Sequence, residues 1–278
     1  MFPIEVTMTD WQVITGDCLE VMPTLAAGSV DAIITDIPYG TTACSWDSVI
    51  PFEPMWAVIR HVLKPRGVFV TTASQPFTSA LVMSNPKWFK YTWYWEKPRG
   101  ANFTSTKWQP LKVIEDICIF SAAAVTYTKD GGGIDFNPQS EPLESPRRRA
   151  FSKTDKRDGG TIFLHNAKLK GVAEYIKNHP RNLLYVSQDA DGRIHPTQKP
   201  VALYEYLIRT YTNAGELVLD MCAGSGTTGV AAVNTGRRVI CIEQREDYAD
   251  IARARIAKAA EQARQGELFT VADVDDSE

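Results

Sequence analysis

Asp36-Ile37-Pro38-Tyr39 sets a carboxylate, a rigid turn and a flat ring directly after the apolar run Asp31 to Thr35. An exocyclic amine on an aromatic ring is a poor nucleophile, because its lone pair is delocalised into the ring. Two acceptors on its N–H groups draw the nitrogen toward a tetrahedral, attackable form. The Asp36 carboxylate and the Ile37 carbonyl could be those acceptors. Pro38 stiffens the turn, and Tyr39 offers a ring for stacking. Holding the amine in line with an electrophile lowers the barrier by positioning and electrostatics. Asp, Pro and Gly40 also favour a plain strand-ending turn, so these residues alone leave that reading open.

The second constellation lies far along the chain. Gly224-Ser225-Gly226-Thr227-Thr228-Gly229 follows the apolar strand ending at Asp220 and precedes a helical stretch. Such a loop lets backbone N–H groups approach a ligand, and the helix start favours an anion. Taken alone it fits several cofactors, a nicotinamide among them. Asp220 narrows the choice, because a carboxylate at that place would face an ammonium and repel a pyrophosphate. S-adenosylmethionine carries both an α-ammonium and a sulfonium. Glu243 ends the next strand, where it could accept two ribose hydroxyls. Asp17, with Cys18 beside it, ends the strand Trp11 to Thr15 and could reach an adenine amino group or simply cap a helix. The cofactor candidates are thus Asp17, Cys18, Asp220, Met221, Cys222, Ala223, Gly224, Gly226, Thr227, Thr228 and Glu243.

These groups need a scaffold that brings strand ends together. Strands are expected at Trp11 to Thr15, Asp31 to Thr35, Gly67 to Thr72, Tyr91 to Trp95, Asp116 to Phe120, Glu216 to Leu219 and Arg238 to Ile242. Helices are expected at Cys18 to Leu25, Pro51 to Leu63, Gln75 to Met83, Thr227 to Asn234 and Tyr248 to Ala263. That alternation implies an α/β domain with a mostly parallel sheet. The stretch 127–193 breaks the rhythm with Gly131-Gly132-Gly133, scattered prolines and Arg147-Arg148-Arg149, and is expected to be an irregular insertion. Residues 265–278 are expected to form a disordered acidic tail.

Composition agrees with a soluble cytoplasmic protein. The chain has 278 residues, 44% hydrophobic and 23% charged, with no apolar run long enough to cross a bilayer and no signal-peptide pattern. The five cysteines show no CxxC spacing, and His165 and His179 lack ligand spacing, so no metal site is expected. The net charge of -3 hides a local imbalance: Ser145 to Arg193 holds eleven Lys/Arg against five Asp/Glu. Such a basic segment suits phosphate contact better than the total charge suggests.

The chain resembles the amino-group DNA methyltransferases. Asp36-Ile37-Pro38-Tyr39 is similar to their (D/N/S)PP(Y/F) motif, His195-Pro196-Thr197-Gln198-Lys199-Pro200 to the element before their cofactor loop, and Asp220 to Gly226 to the loop itself. The order, catalytic motif before cofactor loop, resembles the β-class. The resemblance implies a Rossmann-like seven-stranded methyltransferase sheet, mostly parallel with one antiparallel strand. It would comprise residues 1–126 and 194–264, with 127–193 as an inserted target-recognition region. It also implies S-adenosylmethionine as donor and a base flipped out of duplex DNA, with Thr197 and Lys199 near the cofactor's methionine end. Trp95, Lys97 and Glu115 resemble the family's "W-x-K … E" pattern, and residues 40–47 the loop after its catalytic turn. Two departures stand out: Ile37 replaces the first proline of the motif, and Cys222 replaces an aromatic residue of the cofactor wall.

Within this family an acid at position 36 favours adenine N6 over cytosine N4. Phosphate contacts are expected from Lys97, Arg99, Lys107, Arg147, Arg148, Arg149, Lys153, Lys156 and Arg157. Other partners left open are a second copy of the chain in a homodimer and a cognate restriction nuclease. Competing readings are a cytosine-N4 enzyme, a non-catalytic DNA-binding protein on the same fold, and a nicotinamide-dependent oxidoreductase.

Overall fold

The computed structural model describes residues 10–41, 47–125, 133–151, 171–187 and 198–275. These form two compact units, Met1–Asn137 with Asn182–Glu278, and Pro138–Arg181.

The first unit is built on an eight-stranded sheet. Its strands are β1 (Trp11–Thr15), β2 (Val30–Thr35), β3 (Leu63–Ala73), β4 (Phe89–Ala101), β5 (Lys112–Phe120), β8 (Leu183–Tyr185), β9 (Leu217–Asp220) and β10 (Arg238–Glu243). They lie in the order β1-β10-β9-β2-β3-β5-β4-β8. Only β5 runs against its neighbours. All seven expected strands are present. The eighth, β8, adds to the edge beside β4, where Trp95 Nε1 donates to the Val186 carbonyl at 3.1 Å.

Alternation along the central strands explains why helices cover both faces. Ile33, Phe69, Leu219 and Ile240 point to one side, where they pack with Met55, Trp56 and Ile59 of α2 (Phe52–Val62) and Leu81 of α3 (Phe77–Ser84). Ala32, Ile34, Val70, Val218 and Cys241 point to the other. There they meet α4 (Val201–Tyr211), α5 (Thr227–Asn234) and α6 (Glu246–Asp275). A strand buried on both faces reads as a continuous apolar run, as Leu217–Asp220 does. The expected helix after Asp17 is short: α1 (Cys18–Val21) gives way to a 3-10 turn at Met22–Thr24, where Pro23 lacks the N–H needed to continue.

Three expectations are corrected. The insertion is not wholly irregular: β6 (Glu141–Phe151) and β7 (Gly171–Asn178) pair antiparallel in the second unit. The ladder shifts register between Pro142 and Arg147, and a two-stranded ribbon tolerates such prolines because each strand keeps a free edge. The chain after residue 265 does not leave the helix, since α6 runs to Asp275; the stretch has no proline, and Gly266 alone costs about 1 kcal/mol. The third is α4, a helix over a stretch where none is expected. Its three tyrosines and its Val, Ile and Thr obscured a helical spacing of buried Leu203, Tyr204, Leu207, Ile208 and Tyr211.

Candidate active site

β2 and β9 are neighbours, with Ile33 opposite Leu219, so Asp36 and the loop after Asp220 leave the sheet at the same carboxyl edge. The Thr35 hydroxyl donates to Asp220 Oδ1 at 2.6 Å, tying the two strand ends together. A cavity of about 470 Å³ opens there, of a size suited to a small-molecule ligand. Its wall includes Asp36 and Pro38 from the turn after β2. Asp17, Cys18 and Leu19 come from the end of β1, Asp220 to Ser225 with Thr227 and Thr228 from the glycine loop, and Glu243 from the end of β10.

Asp220 is not an open carboxylate. It is 3% exposed; Thr35 and the Cys222 N–H bond Oδ1, and the Thr228 hydroxyl bonds Oδ2. Burial raises its carboxyl to about 6, against the lowering effect of those hydrogen bonds. Asp220 therefore clamps the loop while also lining the cavity. A bare sequence could not reveal this, since the Thr35 contact spans 185 positions.

Glu243 draws the loop the other way. The Gly224 N–H donates to its Oε2 at 2.7 Å and the Arg245 N–H to its Oε1 at 3.0 Å. Asp17 caps α1 through the Leu19 N–H at 2.8 Å and also lines the cavity. Gly226 does not reach the cavity. It has φ +79°, and a Cβ there would stand 2.8 Å from Ala252 Cβ, so its role is to seat α5 against α6. Among the described residues, no side chain caps the start of α5. In place of the aromatic wall, Cys222 lies beside Cys18; a hydrogen bond between the two thiols, then burial, pushes the Cys222 thiol up.

The other end of the cavity is a charged network. Lys199 Nζ lies 2.5 Å from Asp36 Oδ2 and 3.0 Å from Glu115 Oε1, and Lys97 Nζ lies 3.4 Å from Glu115 Oε2. Burial alone would lower the Lys199 ammonium, but Asp36 and Glu115 outweigh it and raise it. Lys199 thus lines the cavity, with its ammonium paired to the two carboxylates. The Tyr39 hydroxyl donates to Asp36 Oδ1 at 2.7 Å, and Thr72 bonds the same oxygen. The Tyr39 ring stacks on Phe77, with centroids 5.3 Å apart. Ile37 is buried at 2% exposure and absent from the cavity wall. Asp47 closes the following loop by accepting from the Gly40 and Thr41 N–H groups, each at 2.8 Å.

Several wall residues were not foreseen: Tyr204 on α4, Ile50 and Pro51 before α2, Gln198, and Tyr248 on α6. The spacing of α4 could have found Tyr204, and Gln198 lies in the His195–Pro200 element; nothing local marked Ile50, Pro51 or Tyr248. Among the expected DNA contacts, Arg99 and Lys107 are exposed, and Lys107 Nζ stands 5.7 Å from the Trp108 ring centroid. Arg147, Arg148 and Arg149 lie on β6 opposite Tyr175, Glu174 and Ala173. Thr197, His195, Lys153, Lys156, Arg157 and most of the loop after the turn (42–46) lie outside the described residues.

Residues 30–254 match the DNA methylase family of the N6/N4 type, and the chain belongs to that family. The match removes the oxidoreductase reading. Among its relatives is the type II methyltransferase M.HpaI of Haemophilus parainfluenzae, 26% identical over 89% of this chain and 74% of that protein. The fold is similar to that of PvuII DNA methyltransferase, described as cytosine-N4-specific (TM-score 0.62, 17% identity, 94% of each chain). It is also similar to M1.HpyAVI in complex with SAM (TM-score 0.55, 23% identity, 88% of this chain and 99% of that one). No helix among the described residues is long and apolar enough to cross a membrane.

Proposed function

We propose that this chain transfers a methyl group from S-adenosylmethionine to the exocyclic N6 of an adenine drawn out of duplex DNA. The observation that carries the reading is that Asp36 and the glycine loop share one cavity at the carboxyl edge of neighbouring strands.

The residues present suit the cofactor. Glu243 uses one lone pair on each oxygen for a backbone N–H, leaving others for ribose hydroxyls. Leu19, Ile50, Pro51, Met221 and Cys222 make an apolar wall for a purine. The uncapped start of α5 suits the carboxylate. Asp220 acts through the loop it clamps. When bound, the cofactor supplies an electrophilic methyl on a sulfonium.

The protein's own task is to hold and sharpen the amine. Oδ1 of Asp36 already receives Tyr39 and Thr72, whereas Oδ2 receives only Lys199 among the described residues. Oδ2 is therefore the oxygen left to accept an amine N–H, with the Ile37 carbonyl as the second acceptor. Tyr39 serves Asp36 through its hydroxyl and is itself backed by Phe77, so a base would stack on whatever of its ring remains uncovered. The amine proton becomes acidic once the nitrogen is methylated, and water can take it. The carboxylate at position 36 supports adenine as acceptor. The test is to incubate the chain with DNA and methyl-labelled cofactor and to digest the product to nucleosides. Label in N6-methyladenine is expected; label in N4-methylcytosine would reassign the acceptor.

A further inference from the structure

The hairpin of β4 and β5 reaches past the catalytic edge. Thr35 of β2 lies level with Thr71 of β3, Thr71 with Cys118 of β5, and Cys118 with Thr92 of β4. β4 runs in the same direction as β2, so the chain beyond Thr92 heads out past the edge where Asp36 stands. The ladder continues to Ala101 opposite Lys112, and the turn between them carries Phe103 and Trp108. These rings are 75% and 78% exposed.

The turn that displays them is ordered by its own hydrogen bonds. Asn102 takes a left-handed conformation (φ 59°), accepts from the Lys112 N–H at 2.8 Å and donates to the Pro110 carbonyl at 3.2 Å. The Trp108 N–H donates to the Ser105 carbonyl at 2.9 Å, and the Thr106 hydroxyl to the Phe103 carbonyl at 2.8 Å. Leu111 fills the space over Gly100, where a Cβ would come within 2.3 Å of its Cγ. Two large rings held in water contribute little to folding, and exposed aromatics gathered this way mark a contact surface. Charge identifies the partner: residues 97–114 contain four basic side chains, Lys97, Arg99, Lys107 and Lys112, and no acidic one. At the root of the hairpin, Lys97 pairs with Glu115, which pairs with the Lys199 that holds Asp36.

We propose that this tip is a wedge for duplex DNA. Trp108 and Phe103 press into the base stack beside the position vacated by the target base, and Arg99, Lys107 and Lys112 hold the adjacent phosphates. Extruding a base breaks its stacking and pairing, and apolar side chains placed against the opened step offset that loss. The proposal rests on the DNA methylase reading above and adds to it the residues that stabilise the opened duplex.

The test uses the full-length protein, its Trp108→Ala and Phe103→Ala variants, and two labelled duplexes bearing the site found by modified-base sequencing. In one the target base is paired; in the other it faces an abasic position, so it is already unpaired. Both rings are exposed, so the variants are expected to keep the wild-type melting temperature. Trp108→Ala should weaken binding to the paired duplex roughly tenfold or more, the size of one lost base–aromatic stack, and restore most of that on the abasic duplex. Equal weakening on both duplexes, or none on either, overturns the wedge. So does a shift from dimer to monomer in sedimentation with DNA affinity unchanged, which would give the tip to a second copy of the chain. The duplexes carry whichever site the wild type methylates, adenine or cytosine, so binding by the variants reads the tip whatever the acceptor base. Methyl transfer by the wild type tests the catalytic reading, so the two can fail separately.

Discussion

Lys199 Nζ stands 2.5 Å from Asp36 Oδ2 although 163 positions separate them in the chain. The contact joins the segment leading into α4 to the turn after β2, and Glu115 at 3.0 Å completes the group. Lys199 therefore sits between two carboxylates that would otherwise face each other, with Lys97 adding to the Glu115 side; the side chains of Lys199 and Glu115 are each 10% exposed.

Removing that ammonium should be felt in stability. Lys199→Met leaves Asp36 and Glu115 mutually repelling and poorly solvated, with only Lys97 beside Glu115. Breaking such a pair typically costs about 3–5 kcal/mol, and the 25% exposure of the Asp36 side chain points to the lower end. Urea unfolding should report a loss of about 3 kcal/mol. A loss under about 1 kcal/mol would mean that solvent screens the pair.

Asp220 predicts a pH dependence of the ligand-free protein. Its folded value is about 6 against an ordinary 3.8, so the native state keeps a proton that the unfolded chain has released. The sign follows: the group favours folding at low pH, and that contribution disappears as pH rises from 3.8 to about 6. Two pKa units correspond to about 3 kcal/mol. Compared by urea unfolding at pH 4, 5, 6 and 7, wild type should lose stability relative to Asp220→Asn across that window. A difference that does not change with pH would remove the raised carboxyl from the account.

Gly226→Ala tests the seating of the loop. The new Cβ would meet Ala252 at 2.8 Å, and φ +79° strains any L side chain. The left-handed conformation alone costs about 1–2 kcal/mol. A melting temperature lowered by several degrees is expected, together with weaker cofactor binding in a calorimetric titration, because the loop and α5 move as one. Unchanged cofactor affinity would separate the loop from the packing of α5 on α6.

How far the site was legible follows from the range of its contacts. β9, the glycine loop and Glu243 are strand, turn and strand end in a row, and each is visible as an apolar run followed by glycines or an acid. The clamp on Asp220 and the salt bridge on Asp36 were not legible, because their partners, Thr35 and Lys199, come from other parts of the chain. The β6–β7 ribbon was obscured by its prolines, since Pro142 and Pro146 read as breakers although the ladder shifts register between them. Tyr204 shows a different limit. Its helix buries Leu203, Tyr204, Leu207, Ile208 and Tyr211 at helical spacing, but its tyrosines and β-branched residues also suit a strand.

The most direct test of the central claim is the single-turnover rate of methyl transfer to duplex DNA by wild type and Asp36→Ala, alongside the cofactor affinity of each. If the Asp36 carboxylate holds the amine at the mouth of the cofactor cavity, the variant should bind S-adenosylmethionine within about threefold of wild type and lose roughly 10²–10³-fold in rate, the loss seen when one preorganised transition-state contact is removed. An Asp36→Ala enzyme that transfers methyl at the wild-type rate would contradict the account.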